Sequence, residues 1–420
     1  MNKELKQRIE QINAGTAPAG YKKTKVGIVP EEWDTIKAQK IFRNRSDKKH
    51  DGTLEVLSVT QDRGVIPRSQ VDIDIKYDKE STSSYKRVYT GDFVISLRSF
   101  QGGIEYSEYN GIVSPAYTVI EAFTPICDDY YRAYFKSPTY IQRLNTAVYG
   151  IRDGKNISFD DFSQIYIPCP PLPEQQKIAE ILTAQDEVIA LLQRQIDLLK
   201  QQKKGFLQKM FPKKGCKYPE IRFRGFTDDW NQYHLGDLYI ERNENGNDFL
   251  PILSVSIHSG VSDGELDTET LGKFVRRSED KSTYKHVFCG DLVFNMMRAW
   301  QGAIGVVKSE GMVSPAYISA IPNEKVYPPF MNYLLRRKAA VDQINDLSYG
   351  VTDFRKRLYW KSFIRVSCQL PSLQEQKMIT ELFESLDALI DQHQRKLELE
   401  QQKKKALMQL LLTGKVRVKT

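Results

Sequence analysis

Residues 85–94 read YKRVYTGDFV and residues 284–293 read YKHVFCGDLV. Working outward, RSFQGGI at 98–104 answers RAWQGAI at 298–304, and GIVSPAY at 111–117 answers GMVSPAY at 311–317. Upstream, Leu57-Ser58-Val59 pairs with Leu253-Ser254-Val255, and Trp33 with Trp230. Downstream, Tyr149-Gly150 with Asp153 answers Tyr349-Gly350 with Asp353. The offset drifts only from about 196 to 201, and an ordered series at a nearly constant offset marks a tandem duplication. The fold is therefore one unit written twice.

Each copy closes on a helical segment. EQQKIAEIL at 174–182 aligns with EQKMITELF at 375–383. A 4-3-4-3 ladder follows in the first: Ile178, Leu182, Gln185, Ile189, Leu192, Ile196, Leu199, Lys203, Phe206, Met210. The second runs Ile379, Phe383, Leu386, Ile390, His393, Leu397, Glu400, Lys404, Leu407, Leu411. Eight and seven of these ten rungs are apolar, which is the heptad seam of a coiled coil, whose a and d side chains interlock with a partner helix. Pro168, Pro170, Pro171 and Pro173 before the first ladder, and Pro371 before the second, fix where each helix begins. A helix of about 38 residues extends roughly 57 Å. The plainer reading, an ordinary buried helix, meets the objection that average helices run only about 11–12 residues. One ladder per copy suggests that the two pack on each other. A short ladder at Leu5, Ile9 and Ile12 is expected to add a minor third strand.

Between the ladders the pattern is mixed α/β. Short apolar runs at 93–97 and 292–296 follow Gly-Asp turns and read as strands. Segments 130–136 and 330–337 read as helices. The expected division is an N-terminal helix (1–20), a first domain (21–170), a central spacer helix (171–212), a second domain (213–368) and a C-terminal spacer helix (369–414). The copies diverge at 61–84 against 257–283 and at 118–148 against 318–348. A common skeleton with different inserts suggests one device tuned to two targets.

The composition bounds the function. The chain has 420 residues, 40% of them apolar and 27% charged, which fits a folded globular protein rather than a disordered one. No run of 18 apolar residues occurs, so no membrane span is expected, and the charged MNKELKQRIEQ start lacks the apolar region of a secretory signal. Cys127, Cys169, Cys216, Cys289 and Cys368 are scattered and odd in number, which reads as reduced cytosolic thiols rather than a zinc or disulfide framework. His50, His234, His258, His286 and His393 form no metal-spaced pair. Phosphate-loop and dinucleotide-binding glycine signatures are missing, as is the amino-methyltransferase signature, since CPPL at 169–172 lacks its polar start and aromatic end. Glu279-Asp280-Lys281 has the acidic-x-Lys form of a nuclease site, a triplet common in charged chains. The chain is expected to do no covalent chemistry itself, and to need no cofactor or metal.

What remains suits nucleic acid. The formal net charge is +8. Arg98 and Gln101 in one copy, and Arg298 and Gln301 in the other, are the side chains that pair with guanine and adenine edges, with Phe100 and Trp300 beside them. Lys86 and Lys285 follow tyrosines that both copies share and suit phosphate contacts. Motifs present in both copies are poorly placed to read different sequences, so these residues suit phosphate better than base. Gly91-Asp92, Gly102 and Ser114-Pro115 also read simply as turn formers. Candidate base readers lie where the copies differ: Arg63, Arg68, Arg152, Lys155, Arg276, Arg277, Arg355 and Lys356.

With GIVPEEW at 27–33, the doubled G-D-x-V and V-S-P-A-Y motifs and PLPEQQKI at 171–178, the chain resembles the DNA-specificity subunit of a type I restriction-modification system over essentially its whole length. Gln374 stands where the first helix entry has Pro173. The resemblance implies two target-recognition domains separated by an antiparallel coiled coil of two long helices, with pseudo-twofold symmetry. Each domain then reads one half of a split site in double-stranded DNA, and the helices set the gap. Two methyltransferase (modification) subunits, binding S-adenosylmethionine, and restriction subunits using ATP and Mg are the implied partners in a prokaryotic cytoplasm. Glu174, Lys177, Glu375 and Lys377, outside the seam, are candidate contacts to the modification subunits. The rival readings are a stand-alone modifying enzyme with degenerate motifs and a coiled-coil assembly protein without DNA affinity.

Overall fold

A computed structural model describes residues 3–71, 79–147, 157–247, 249–262, 264, 283–350 and 355–419. Two compact units share the chain: Met1–Gln193 with Arg395–Thr420, and Arg194–Gln394.

The first unit is built on an antiparallel four-stranded sheet in the order Phe42–Arg45, Thr118–Ala122, Phe93–Ile95, Glu105–Tyr106. Side chains alternate faces along a strand, and this explains why Phe93–Ile95 is apolar throughout. Phe93, Ile95 and Ile120 face a large core with the helix Asp128–Phe135, while Val94 and Val119 face a smaller cluster with Leu57, Val65, Val88 and Val113. Aromatic rings fill the larger core: Phe42 meets Phe93 edge-on at 5.7 Å and Tyr131 at 5.3 Å.

The second unit repeats the plan. Its sheet runs Tyr239–Arg242, Tyr317–Pro322, Leu292–Asn295, Ile304–Val306. Leu292 and Phe294 face the larger core with Phe330, and Val293 faces Leu253, Val255 and Val261. The segment expected as one helix over 330–337 is a helix at Pro328–Leu334 followed by a second at Lys338–Leu347, because Arg337 is extended between them.

Two long helices, Leu172–Lys209 and Leu373–Leu411, carry the ladders. Every one of the twenty rung positions is buried or half-buried. In the first unit Ile178, Leu182, Leu407 and Leu411 enter the larger core, and in the second Leu199, Phe206, Met210, Ile379, Phe383 and Leu386 do the same. Ile189, Leu192, Ile196, Ile390 and Leu397 occupy the intervening rungs; Leu192 and Ile196 are 5% and 1% exposed. Each fully buried side chain of this kind contributes about 1.5–3 kcal/mol. Polar rungs find partners across the pair: Gln185 Nε2 donates to Glu400 Oε2 at 2.7 Å, and Lys203 pairs with Asp387. As the number rises on the first helix, the partner's number falls on the second, so the helices pack antiparallel. The mixed α/β domains and paired long helices read from the sequence are what the structure contains.

Both helix starts are anchored alike. Gln175 Nε2 donates to the Pro170 carbonyl at 2.8 Å while its Oε1 accepts from the Cys127 N–H at 3.0 Å. Gln376 Nε2 donates to the Pro371 carbonyl at 3.0 Å, and its Oε1 accepts from Tyr327 N–H at 2.9 Å. The N-terminal helix Lys3–Asn13 meets its unit at Tyr21, whose ring lies 5.7 Å from the Arg8 guanidinium, and at Lys415, whose Nζ donates to Asn13 Oδ1 at 2.7 Å.

Candidate nucleic-acid interface

The doubled Gly-Asp motif proves to be scaffolding. Gly91 and Gly290 take φ of +98° and +96°, a left-handed conformation that favours glycine. Asp92 then folds back to accept the Tyr89 N–H at 2.8 Å, and Asp291 accepts the Phe288 N–H at 2.8 Å. Each carboxylate also pairs with an arginine on the sheet's edge strand, Arg45 to Asp92 at 3.0 Å and Arg242 to Asp291 at 2.7 Å. Burial raises the Asp92 carboxyl to about 6 in spite of the Tyr89 N–H and Arg45, which both act in the opposite direction.

The V-S-P-A-Y motif makes a turn in both copies, closed by Tyr117 N–H to the Ser114 carbonyl at 3.0 Å and Tyr317 N–H to the Ser314 carbonyl at 2.9 Å. Lys86 serves the first of these turns. Its Nζ donates to the Tyr117 carbonyl at 2.6 Å, and desolvation, followed by the Lys48 charge, lowers its pKa. Lys285 is half-buried at the corresponding place.

The R-x-x-Q turns carry the exposed candidates. Residues Ser99–Gly102 and Ala299–Gln301 form single turns, with Ser99 and Ala299 buried beneath them. Arg98, Gln101, Arg298 and Gln301 are exposed. Trp300 is half-buried, its Nε1 donating to the Met297 carbonyl at 3.0 Å. Leu97 and Met297, beside the arginines, are 46% and 45% exposed.

In both units this shared turn abuts a hairpin that differs between copies. A Cβ on Gly102 would lie 2.9 Å from the Gln61 side chain, and Gln61 Nε2 donates to the Arg98 carbonyl at 3.3 Å. A Cβ on Gly302 would lie 3.8 Å from the Ile257 carbonyl. The structure thus brings a common cationic turn beside divergent tips, 61–64 in one unit and 257–260 in the other.

The remaining candidates are dispersed. Arg63, at the first tip, is exposed and donates to the Gln70 carbonyl at 3.1 Å. Arg68 is half-buried in the segment after that hairpin. Arg355 is exposed and Lys356 half-buried, next to the bridge in which Tyr349 and Arg357 exchange backbone hydrogen bonds. Arg152, Lys155, Arg276, Arg277 and the Glu279-Asp280-Lys281 triplet lie outside the described residues.

Two expected partner contacts are corrected. Glu174 and Glu375 are 1% and 0% exposed and cannot present a charge to another protein. Glu174 accepts the Trp33 indole N–H at 2.9 Å and a two-bonded Arg417 guanidinium at 2.6 and 2.9 Å. Glu375 accepts Arg222 the same way, at 2.7 and 2.8 Å. Lys177 and Lys377 are exposed; Lys177 pairs with Glu180 at 2.6 Å. Arg222 and Arg417 escaped the sequence reading although a signal was there. IRFR at 221–224, after the first long helix, answers VRVK at 416–419 after the second.

Comparison with known proteins fits this combination of a duplicated α/β unit and two long helices. Residues 30–201 match the type I restriction modification DNA specificity domain. The chain is 28% identical to the type I restriction enzyme MjaVIII specificity subunit of Methanocaldococcus jannaschii, over 93% of this chain and 94% of that one. It is 25% identical to the putative MjaX specificity subunit of the same organism, over 95% and 97%. The type I restriction-modification S subunit from M. genitalium shares its fold, with a TM-score of 0.52 at 14% identity over 92% of this chain and 97% of that one. The resemblance read from the doubled motifs is borne out: residues 30–201 match a type I DNA specificity domain, and the chain is similar over nearly its whole length to type I restriction enzyme specificity subunits.

Proposed function

We propose that this chain is the sequence-specific DNA-binding subunit of a type I restriction-modification complex. Each unit reads one half of a bipartite site, and the long-helix pair sets the unspecified gap. Methyltransferase and restriction subunits recruited by the chain carry the chemistry, holding S-adenosylmethionine, ATP and Mg, in a prokaryotic cytoplasm. The observation that carries this reading is the repeated placement of an exposed Arg/Gln turn (Arg98 and Gln101, Arg298 and Gln301) beside a hairpin tip that differs between copies. The common turn supplies phosphate contacts that position the duplex, and the differing tips supply sequence readout. A long helix pair is a suitable ruler, because sites about 34–36 Å apart fall on one face of B-DNA.

The test is methylation mapping in a host carrying the complete complex. Lengthening both ladders by one heptad is expected to change the tolerated gap and leave the half-sites as they were. Exchanging residues 61–84 and 118–148 for those of another specificity subunit is expected to change one half-site only. Altered half-sites with an unaltered gap in the first experiment would refute the ruler.

A further inference from the structure

The second unit contains a basic cleft. It has a volume of about 970 Å³ and lies between the first long helix, the helix starting at Lys338 and the turn carrying Gln301 and Gly302. Its cations outnumber its carboxylates. Asp387 is already answered by Lys203 and by the Tyr333 hydroxyl, which donates to it at 3.1 Å. Arg336 is engaged by the Ile257 and His258 carbonyls. Lys213 is paired with Glu220 at 3.0 Å, which leaves Arg337, Lys338, Lys204 and Lys308 lining the space with Asp342. Among the described residues, none of these four cations is paired with a carboxylate.

Arg337 is the decisive member. Its guanidinium sits half-buried over the Phe211 ring at 4.5 Å, and desolvation alone lowers its pKa to about 10. A charge taken partly out of water without a counter-ion is costly, and an incoming anion relieves that cost. The other copy shows what a self-contained version looks like. Shifted by 200 residues, Arg336 and Arg337 correspond to Lys136 and Ser137. Lys136 is paired with Glu105 at 2.6 Å, and the buried Ser137 hydroxyl accepts the Tyr140 N–H at 3.3 Å, capping the helix that follows. In the second unit that hydroxyl cap is replaced by an arginine, and the first turn of the following helix carries no acidic residue. Three consecutive cations at a helix N-terminus oppose its dipole unless an anion joins them.

We infer that this cleft binds phosphate groups, supplied either by the backbone of duplex DNA or by a free polyphosphate. Arg337 offers the planar fork that suits two phosphate oxygens, and Lys338, Lys204 and Lys308 add point charges around it. The duplex source rests on the proposed function above; the free source does not.

The test uses the full chain, as wild type, Arg337→Ala, Arg337→Lys and the exposed-site double variant Lys308→Ala/Lys338→Ala. Titration calorimetry with sodium pyrophosphate reads the free source, and duplex binding across a salt series reads the other. Pyrophosphate binding by wild type that weakens at least fivefold in Arg337→Ala and in the double variant, and is retained in part by Arg337→Lys, supports the site. So does a fall of about 0.9 in the duplex salt slope per contact removed. Pyrophosphate binding lost in the variants while wild type ignores duplex keeps the phosphate site and sinks the DNA reading instead. No pyrophosphate binding by wild type, together with a duplex affinity and salt slope that the variants leave unaltered, overturns the site and leaves the DNA reading standing.

Discussion

Lys203 on the first long helix forms an ion pair with Asp387 on the second. Adding 201 to Lys203 gives Lys404, and subtracting it from Asp387 gives Asp186, and these two also pair, at 2.5 Å. One contact is thus made twice by a duplicated sequence, once in each unit. The seam between is not uniform: Gln185 and Glu400 meet in the first unit, where the same shift puts Leu386 and Leu199 in the second. Polar rungs among apolar ones fix helix register, because slipping by a turn would strand them against leucine.

The partly exposed Lys203–Asp387 pair is expected to contribute modestly. Lys203→Glu should lower stability by about 1 kcal/mol, and Lys203→Glu/Asp387→Lys should recover part of it. Urea unfolding of the four chains of this cycle measures the coupling; no recovery would mean that the pair is incidental.

Breaking a buried pair is a larger perturbation. Glu174→Gln leaves Arg417 with the exposed Glu32 as its carboxylate partner and weakens the Trp33 contact, so a loss of about 2–4 kcal/mol is expected, and Glu375→Gln should do likewise through Arg222. Urea unfolding followed by tryptophan fluorescence reads both. A loss under about 0.5 kcal/mol, typical of surface sites, would show that these carboxylates are not the anchors described.

Asp92 gives a pH dependence of defined sign. Its folded pKa of about 6 lies above the 3.8 of an ordinary aspartate, so the folded chain holds the extra proton between them. The stabilisation is complete below the unfolded value and is lost as pH rises through the folded one. Compared with Asp92→Asn, wild type should therefore lose about 1–3 kcal/mol of relative stability between pH 4 and 7. A flat difference across that range would contradict the burial of this carboxyl.

At the shared turns, Arg98→Ala and Arg298→Ala are expected to weaken duplex binding uniformly across sequences and to lower the salt slope by about 0.9 each. A changed half-site in methylation maps would instead assign these arginines to bases.

The duplication and the helix pair were legible because both are matters of period: one repeat near 200 residues, one rung every three or four. The Gly-Asp turn was legible as a turn because glycine's positive φ and the aspartate's return to its own backbone are local effects. What stayed hidden was distant pairing. Glu174, in the first turn of a helix, looks like a solvated charge that suits the helix dipole, and nothing local announces that Arg417 lies against it. Lys86 looked available for phosphate, yet the Tyr117 carbonyl claims its ammonium. Helical periodicity marks which residues face inward along a seam; it does not mark a carboxylate buried by another segment.

The reach of Arg417 to Glu174 also orders events during synthesis. The unit that begins the chain includes Arg395–Thr420, whereas the other is assembled wholly from Arg194–Gln394. Domains usually fold as they emerge from the ribosome, N-terminal first, at about 5–20 residues per second. Here that order is interrupted, since the unit begun first is completed only by Arg395–Thr420, which follows every residue of the other unit in the chain.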